Sequence, residues 1–139
     1  MPIYDLSTKA AETAPLVDEL AQRLDGEVRF DDVSRLLYST DASNYQIEPV
    51  GVVFPKHADD VVAAHSIAAQ RNVPLLPRGA GTSLAGQTVG HALVMDFSRH
   101  LNQVISVDAE ARTAKVQPGV IVNHLNAQLA PLGLMLGPD

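Results

Sequence analysis

The sequence predicts a single α+β domain, in which a small βαβ unit of parallel strands is followed by antiparallel strands. The chain has 139 residues, of which 46% are hydrophobic and 19% charged, as is typical of one globular domain with a hydrophobic core. Residues 50–76 carry an apolar run, an amphipathic helical pattern and a second apolar run. This order predicts two parallel strands joined by a right-handed crossover. Two later apolar runs flank the short polar segment 108–112, which predicts an antiparallel hairpin.

Hydrophobic periodicity predicts an amphipathic helix before the βαβ unit. Pro15 occupies a position that a first helical turn tolerates, and Gly26 is a stop signal. Residues 1–14 are then an N-terminal extension. The shorter patterns that follow predict a strand at 27–30 and one or two helical turns at 34–39. The apolar face of the long helix consists of Leu16, Val17, Leu20, Ala21 and Leu24.

The βαβ unit is predicted from a strand at 50–55, a helix from Asp59 to about Arg71 and a strand at 73–76. Asp59 and Asp60 stand in the first helical turn, where a negative charge suits the helix dipole. The helix therefore begins at these acidic residues. Its buried stripe is predicted to be Val61, Ala64, Ile67 and Ala68.

The second half of the chain opens with a glycine-rich loop at 77–90, which has too many glycines for a helix. Short apolar runs then predict strands at 93–96, 104–108 and 113–117. A final helix is predicted before Gly133. Its shared face consists of Ile121, Leu125, Gln128, Leu129 and Leu132.

Composition excludes several classes of function. With 10 basic and 16 acidic residues the net charge is −6, which argues against a nucleic-acid surface because such surfaces need clustered Lys and Arg. The absence of cysteine excludes disulfides, zinc ribbons, iron–sulfur ligation and thiol catalysis within this chain. The apolar runs are far shorter than the ~20 residues of a membrane span. The amino-terminal residues do not follow a signal-peptide pattern, so a cytoplasmic location is expected.

The glycine-rich loop is the strongest candidate for a binding site. It follows a strand directly, and its glycines allow backbone N–H groups to point into one concavity that suits phosphate. The hydroxyls of Thr82 and Ser83 add donors; an ordinary surface loop is the alternative. A Walker A loop is excluded because no Gly-Lys-Ser/Thr follows. A Rossmann fingerprint fails because Leu84 replaces the third glycine and no crossover helix fits before residue 93.

The segment 77–83, taken together with Gly86, resembles the pyrophosphate loop of the FAD-linked oxidases, the vanillyl-alcohol-oxidase type of flavoproteins. Other segments agree with that family in the same order along the chain, over about residues 14–139. The resemblance is greatest to the branch of glycolate oxidase flavin subunits and D-lactate dehydrogenases, including large flavin and iron–sulfur oxidoreductases. The agreeing segments are 40–45, 53–55, 93–96, 116–119 and 136–139.

The resemblance implies an FAD-binding lobe of two subdomains, of which this chain is the first. The family's substrate cap, catalytic histidine and metal ligands lie outside this stretch, so no catalytic or metal-binding residue is carried over. Thr82 stands where many relatives attach FAD through histidine, which implies noncovalent FAD. The implied cofactor contacts are Arg78, Gly79, Ala80, Gly81, Thr82, Ser83, Gly86 and Gln87, with Pro138 and Asp139 in a second flavin-contacting stretch.

The resemblance also implies the parent reaction. A flavin-dependent oxidoreductase of this branch removes hydride from the α-carbon of a 2-hydroxy acid of the glycolate, D-lactate or 2-hydroxyglutarate type, with flavin as acceptor. The isolated stretch is expected to be inactive, to bind FAD weakly and to associate with itself through an exposed apolar face. A non-catalytic nucleotide- or phosphate-binding module, and a fragment that folds without FAD, are the alternatives.

Other polar residues have open interpretations. The five histidines show no i,i+4 pair, so metal binding is not expected, and His91 is the one that the chain order brings near the loop. Asp41, in a segment that includes Tyr45, either contacts a ligand or shapes a turn. Asp96 is interpreted as capping the turn before residue 98. Arg78 pairs either with a phosphate or with a carboxylate.

Overall fold

The computed structural model describes residues 6–137, and side chains from residue 13 onward. Helices occur together with both parallel and antiparallel strand pairs, which agrees with the α+β prediction. The elements are α1 (Leu6–Arg23), β1 (Glu27–Arg29), α2 (Asp32–Leu37), β2 (Gly51–Phe54), α3 (Ala58–Gln70), β3 (Leu75–Arg78), β4 (Leu93–Asp96), β5 (Val104–Asp108), β6 (Thr113–Val116), α4 (Val122–Leu129) and a 3₁₀ turn (Ala130–Leu132).

The main sheet has the strand order β1-β2-β4-β3. Strands β2 and β3 both run parallel to β4, while β1 pairs with β2 in the antiparallel direction. The predicted βαβ unit is therefore confirmed as parallel, but its strands are not neighbours because β4 lies between them. The β5–β6 hairpin is antiparallel as predicted and forms a separate two-stranded sheet.

Both faces of the central strands are buried. Every residue of β2 and β4 is buried, which explains why these strands are continuous apolar runs rather than alternating patterns. On one face, α1 and α3 cover a core that includes Leu20, Ile67 and Met95. On the other face, a smaller cluster contains Val52, Phe54 and Val94, with Tyr38 and Leu76 packed against it. The second cluster lies toward α2, so Tyr38 links this short helix to the sheet.

Several element boundaries differ from the prediction, including the starts of α1, α2 and β3. Helix α1 begins at Leu6, so Pro15 lies inside the helix and not in its first turn. Strand β3 begins two residues later than predicted because Val73 takes part in the capping turn that follows α3. Asn72 has a left-handed φ of 53°, and the Val73 N–H donates to the Ala68 carbonyl at 2.9 Å. This is the Schellman pattern of a helix C-terminus, and it occupies the amide that a strand would have used.

Within residues 6–137, the structure has no helix that combines the length and the apolar character that a membrane crossing requires.

Candidate functional site

The glycine-rich loop lies at the carboxyl edge of the parallel strands. It leaves β3 after Arg78, which pairs in register with Asp96 at the end of β4. Ligands of parallel α/β sheets bind outside the carboxyl ends of the strands. The fold therefore brings the predicted binding loop to the edge of the sheet where a ligand is expected.

Two glycines of the loop cannot be replaced without strain. Gly81 has a φ of 69° and Gly86 a φ of 76°, both in the left-handed region. A Cβ on Gly81 would lie 2.5 Å from Nη2 of Arg78, and a Cβ on Gly86 would lie 2.6 Å from Cδ2 of Tyr45. The backbone conformation of both residues therefore favours glycine, and a side chain at either would also displace the neighbouring side chain of Arg78 or Tyr45.

The loop presents a run of available backbone donors. In the part of the chain that the structure describes, the N–H groups of residues 80–86 donate to no protein acceptor, whereas the carbonyls of Gly81 and Gly86 accept hydrogen bonds. The Ser83 hydroxyl accepts from the Gln87 N–H at 3.0 Å and also contacts the Gln87 side-chain amide. Consecutive free N–H groups in a glycine-rich turn form an anion-binding concavity, and the geometry is compatible with phosphate.

Among the described residues Arg78 forms no ion pair with a carboxylate, which was one of the two pairings considered from the sequence. Its guanidinium donates to the Thr88 carbonyl at 3.1 Å and to the Thr40 carbonyl at 2.9 Å. The same group lies 5.0 Å from the centre of the Tyr38 ring, within the range of a cation–π contact. Arg78 thus joins both ends of the loop region to the segment after α2.

Asp41 also connects this segment to the loop. Its Oδ1 accepts the Ser43 N–H at 2.8 Å, and its Oδ2 accepts the Thr88 hydroxyl at 3.0 Å. Hydrogen bonds from Ser43, followed by those from Thr88, lower the pKa of Asp41 to about 2. The Ala42 N–H donates to the Gly81 carbonyl at 3.1 Å. Asp41 therefore shapes the turn, which is one of the two interpretations left open by the sequence.

Asp96 is buried beside these groups and has two partners. Its Oδ1 accepts the Ser98 N–H at 2.7 Å, which confirms the predicted cap. Its Oδ2 accepts the Tyr38 hydroxyl at 2.5 Å, a contact that the sequence did not predict. Burial, together with the hydrogen bond to Asp96, raises the pKa of Tyr38 well above its ordinary value. Tyr38 therefore stays a neutral donor that contacts Asp96 through its hydroxyl and Arg78 through its ring face.

None of the hydrogen bonds described above involves a histidine. His91 Nδ1 is 3.3 Å from the Glu48 carbonyl. His57 Nε2 lies 3.0 Å from Asp25 Oδ2, and Asp60 is close to both residues, so the three could geometrically hold a metal. The hydrogen bonds of the helix start account for this cluster, because Asp60 accepts two backbone N–H groups and His57 caps α3. The predicted contacts Pro138 and Asp139 lie outside the described residues.

Comparison with known proteins gives consistent matches. Residues 49–139 match the family model of the FAD binding domain. The chain is 38% identical over 117 residues to D-2-hydroxyglutarate dehydrogenase of Pseudomonas putida, covering 82% of this chain and 12% of that protein. It is 38% identical over 128 residues to the glycolate oxidase subunit GlcD of Bacillus subtilis, covering 88% of this chain and 27% of that protein. This chain therefore spans a minor part of the relatives it matches.

Solved structures share the fold. The 4-ethylphenol oxidase of Gulosibacter chungangensis matches with a TM-score of 0.78 at 20% identity, over 94% of this chain and 27% of that chain. A p-cresol methylhydroxylase with substrate bound matches with a TM-score of 0.73 at 18% identity, over 93% of this chain and 27% of that chain. At these identities the likeness is one of fold.

Proposed function

Because the chain belongs to the FAD-linked oxidase family, with an FAD-binding domain of the vanillyl-alcohol-oxidase type, we propose that its glycine-rich loop binds the pyrophosphate of FAD. FAD is the cofactor of this domain family, and when bound it supplies the redox chemistry. The proposed donors are the backbone N–H groups of the loop. The residues proposed to contact or neighbour the cofactor are Arg78, Gly79, Ala80, Gly81, Thr82, Ser83, Gly86 and Gln87.

The observation that carries this proposal is the run of N–H groups at 80–86 with no protein acceptor among the described residues. A pyrophosphate offers several oxygens that accept from such donors. The guanidinium of Arg78 adds a positive charge next to the loop, in a chain whose net charge is −6. The donor set therefore fits an anionic group better than it fits an apolar ligand.

We propose further that the parent enzyme oxidises a 2-hydroxy acid by hydride transfer to flavin. The names of the relatives support this class, since they are a D-2-hydroxyglutarate dehydrogenase and a glycolate oxidase subunit. This chain matches only 12% and 27% of their lengths, and its share of the proposed reaction is to bind and orient the cofactor. A cytoplasmic location stays a prediction from the sequence pattern.

A titration of the purified chain with FAD tests the proposal. Saturable quenching of flavin fluorescence, reversed by excess ADP, is the expected result. Equal affinity for FAD and ADP would favour a general nucleotide-binding module, because the flavin part of FAD would then contribute nothing to the binding free energy. Failure to bind either ligand would mean that the chain folds without binding FAD, and would contradict the proposal.

We predict that FAD binds without a covalent link. The family resemblance aligns Thr82 with the histidine through which many FAD-linked oxidases attach FAD, and a threonine hydroxyl is much less nucleophilic than imidazole. His91 is held at the Glu48 carbonyl instead. After acid precipitation of the FAD-saturated chain, the flavin should stay in the supernatant. Flavin that remains with the washed, denatured pellet would contradict this prediction.

We predict self-association through an apolar face. Leu84 is 82% exposed, Met135 74% and Leu136 47%. Met135 and Leu136 border a groove of about 530 Å³ that is also lined by Leu125 and Leu129. Exposed apolar patches favour association, so sedimentation should show dimers or larger species as the concentration rises. Met135→Lys should shift the distribution toward the monomer; a single monomeric species of the unmodified chain at every concentration would contradict the prediction.

A further inference from the structure

We propose that Arg78 and Asp41 are positioning residues whose side chains hold the glycine-rich loop in its anion-binding shape. Together with Tyr38 and Thr88 they form a polar clasp, and the name clasp is used below for these four residues. The inference rests on the proposed function, since it assigns how the same loop is kept ready for pyrophosphate. The role proposed for Arg78 is to position the loop and not to bind the ligand directly, because its guanidinium donates to two protein carbonyls.

Arg78 joins three parts of the chain. The residue stands at the end of β3, where the loop begins, while Thr88 stands near the end of the loop. The guanidinium donates to the Thr88 carbonyl at 3.1 Å and to the Thr40 carbonyl at 2.9 Å. One side chain therefore fixes the separation between the two ends of the loop and links both to the segment after α2.

Thr88 is held from two sides by opposite charges. Its carbonyl accepts from the Arg78 cation, and its hydroxyl donates to Asp41 Oδ2 at 3.0 Å. Hydrogen bonds to charged groups are stronger than those between neutral groups. Asp41 is itself fixed by the Ser43 N–H at 2.8 Å. The end of the loop is thus anchored by one cation and one anion.

The middle of the loop lies directly against the Arg78 side chain. Gly81 approaches the guanidinium so closely that a Cβ there would lie 2.5 Å from Nη2 and 3.0 Å from Cζ. The Gly81 carbonyl accepts from the Ala42 N–H at 3.1 Å, which ties it to the Asp41 segment. The loop backbone that carries the proposed donor N–H groups is therefore in direct contact with the clasp.

The contacts of Arg78 suit one particular kind of side chain. A planar, forked cation suits this place. It donates to carbonyls in two different segments and lies 5.0 Å from the centre of the Tyr38 ring. The Tyr38 ring is fixed in turn by its hydroxyl bond to Asp96. A lysine keeps the charge but cannot stack a flat group on the ring while donating in two fixed directions. The arginine-to-lysine change therefore separates a positioning role from a simple charge effect.

The test compares Arg78→Lys and Arg78→Met with the unmodified chain and with Arg99→Met as a matched control. Arg99 is also a cation over an aromatic ring, 4.3 Å from the centre of Phe54, but it is not in the clasp. Hydrogen exchange, measured without FAD, should quicken at the protected amides of Ala42 and Gln87 in both Arg78 variants. The amides of α3 should exchange as before, and Arg99→Met should leave the loop amides unchanged.

The second readout is the FAD dissociation constant. Both Arg78 variants should bind FAD about tenfold more weakly or worse, which is the expected loss of one charge-assisted anchor. If Arg78→Lys restores normal affinity, Arg78 acts as a point charge on the ligand and the proposal is wrong. Unchanged loop exchange in both variants would also overturn it. If Arg78→Met does not fold, Thr88→Val replaces it as the test, because it removes only the hydroxyl that donates to Asp41. Thr88→Val should quicken the amide exchange of Ala42 and Gln87. Unchanged exchange at these two amides would count against the clasp.

The two proposals fail in different ways. If the unmodified chain does not bind FAD, the proposed function is wrong, and the exchange measurements alone then decide whether the clasp orders the loop. If the chain binds FAD and the Arg78 variants bind it equally well, the function stands and the positioning role is refuted.

Discussion

Replacing Gly81 with valine is expected to abolish FAD binding while the rest of the domain stays folded. Gly81 has a φ of 69°, a region that a β-branched residue strongly disfavours. The new Cβ would also lie 2.5 Å from the Arg78 guanidinium. Either the loop or Arg78 must then move, and both changes disturb the N–H groups proposed to bind pyrophosphate. FAD titration and thermal unfolding of the same preparation measure the two effects separately.

Gly133→Val is the matched control for backbone strain. Gly133 has a φ of 67°, close to that of Gly81, but a Cβ there would meet no atom within 4 Å. It lies after α4 and outside the loop. Its valine variant should lose stability through strain alone and keep its FAD affinity. A Gly81→Val chain that binds FAD as well as the unmodified chain would show that this loop is not the pyrophosphate site.

The loop could be predicted because its determinants are local. Glycines at 79, 81 and 86 directly after an apolar run break any regular element, and Gly81 and Gly86 prove to have positive φ. The clasp could not be predicted, because its partners are far apart in sequence. Arg78 donates to Thr40, which is 38 residues earlier, and Tyr38 donates to Asp96, which is 58 residues later. Single-sequence patterns carry no signal for such pairs.

The topology shows the same division between local and long-range information. The apolar runs of β2, β3 and β4 were visible, and the parallel direction of β2 and β3 followed from the crossover helix. The parallel direction of β4 was not predicted. The position of β4 between the other two depends on which strand can be buried on both faces, and this is decided by packing. Every residue of β4 is buried, whereas β3 keeps an exposed proline at position 77. The least exposed strand therefore occupies a central place.

Asp60 is the clearest case of a residue whose local interpretation was incomplete. The sequence placed it in the first turn of a helix, where either of two adjacent acids would suit the dipole. The structure buries it, with 1% of its surface exposed. Its Oδ1 accepts the Asp25 N–H at 2.9 Å, and its Oδ2 accepts the Lys56 N–H at 2.8 Å. One carboxylate thus joins the turn after α1 to the turn before α3.

Asp60→Ala should therefore lower the free energy of unfolding by about 3 kcal/mol. Two partly buried backbone N–H groups lose a charged acceptor, and water replaces it only incompletely. Asp59→Ala is the matched control, since Asp59 is the exposed neighbour in the same helical turn. It removes only a favourable dipole interaction and should cost less than about 1 kcal/mol. Urea unfolding of the two variants measures the difference. Equal losses would mean that both acids act through the helix dipole, and that the bonds to Asp25 and Lys56 contribute little to stability.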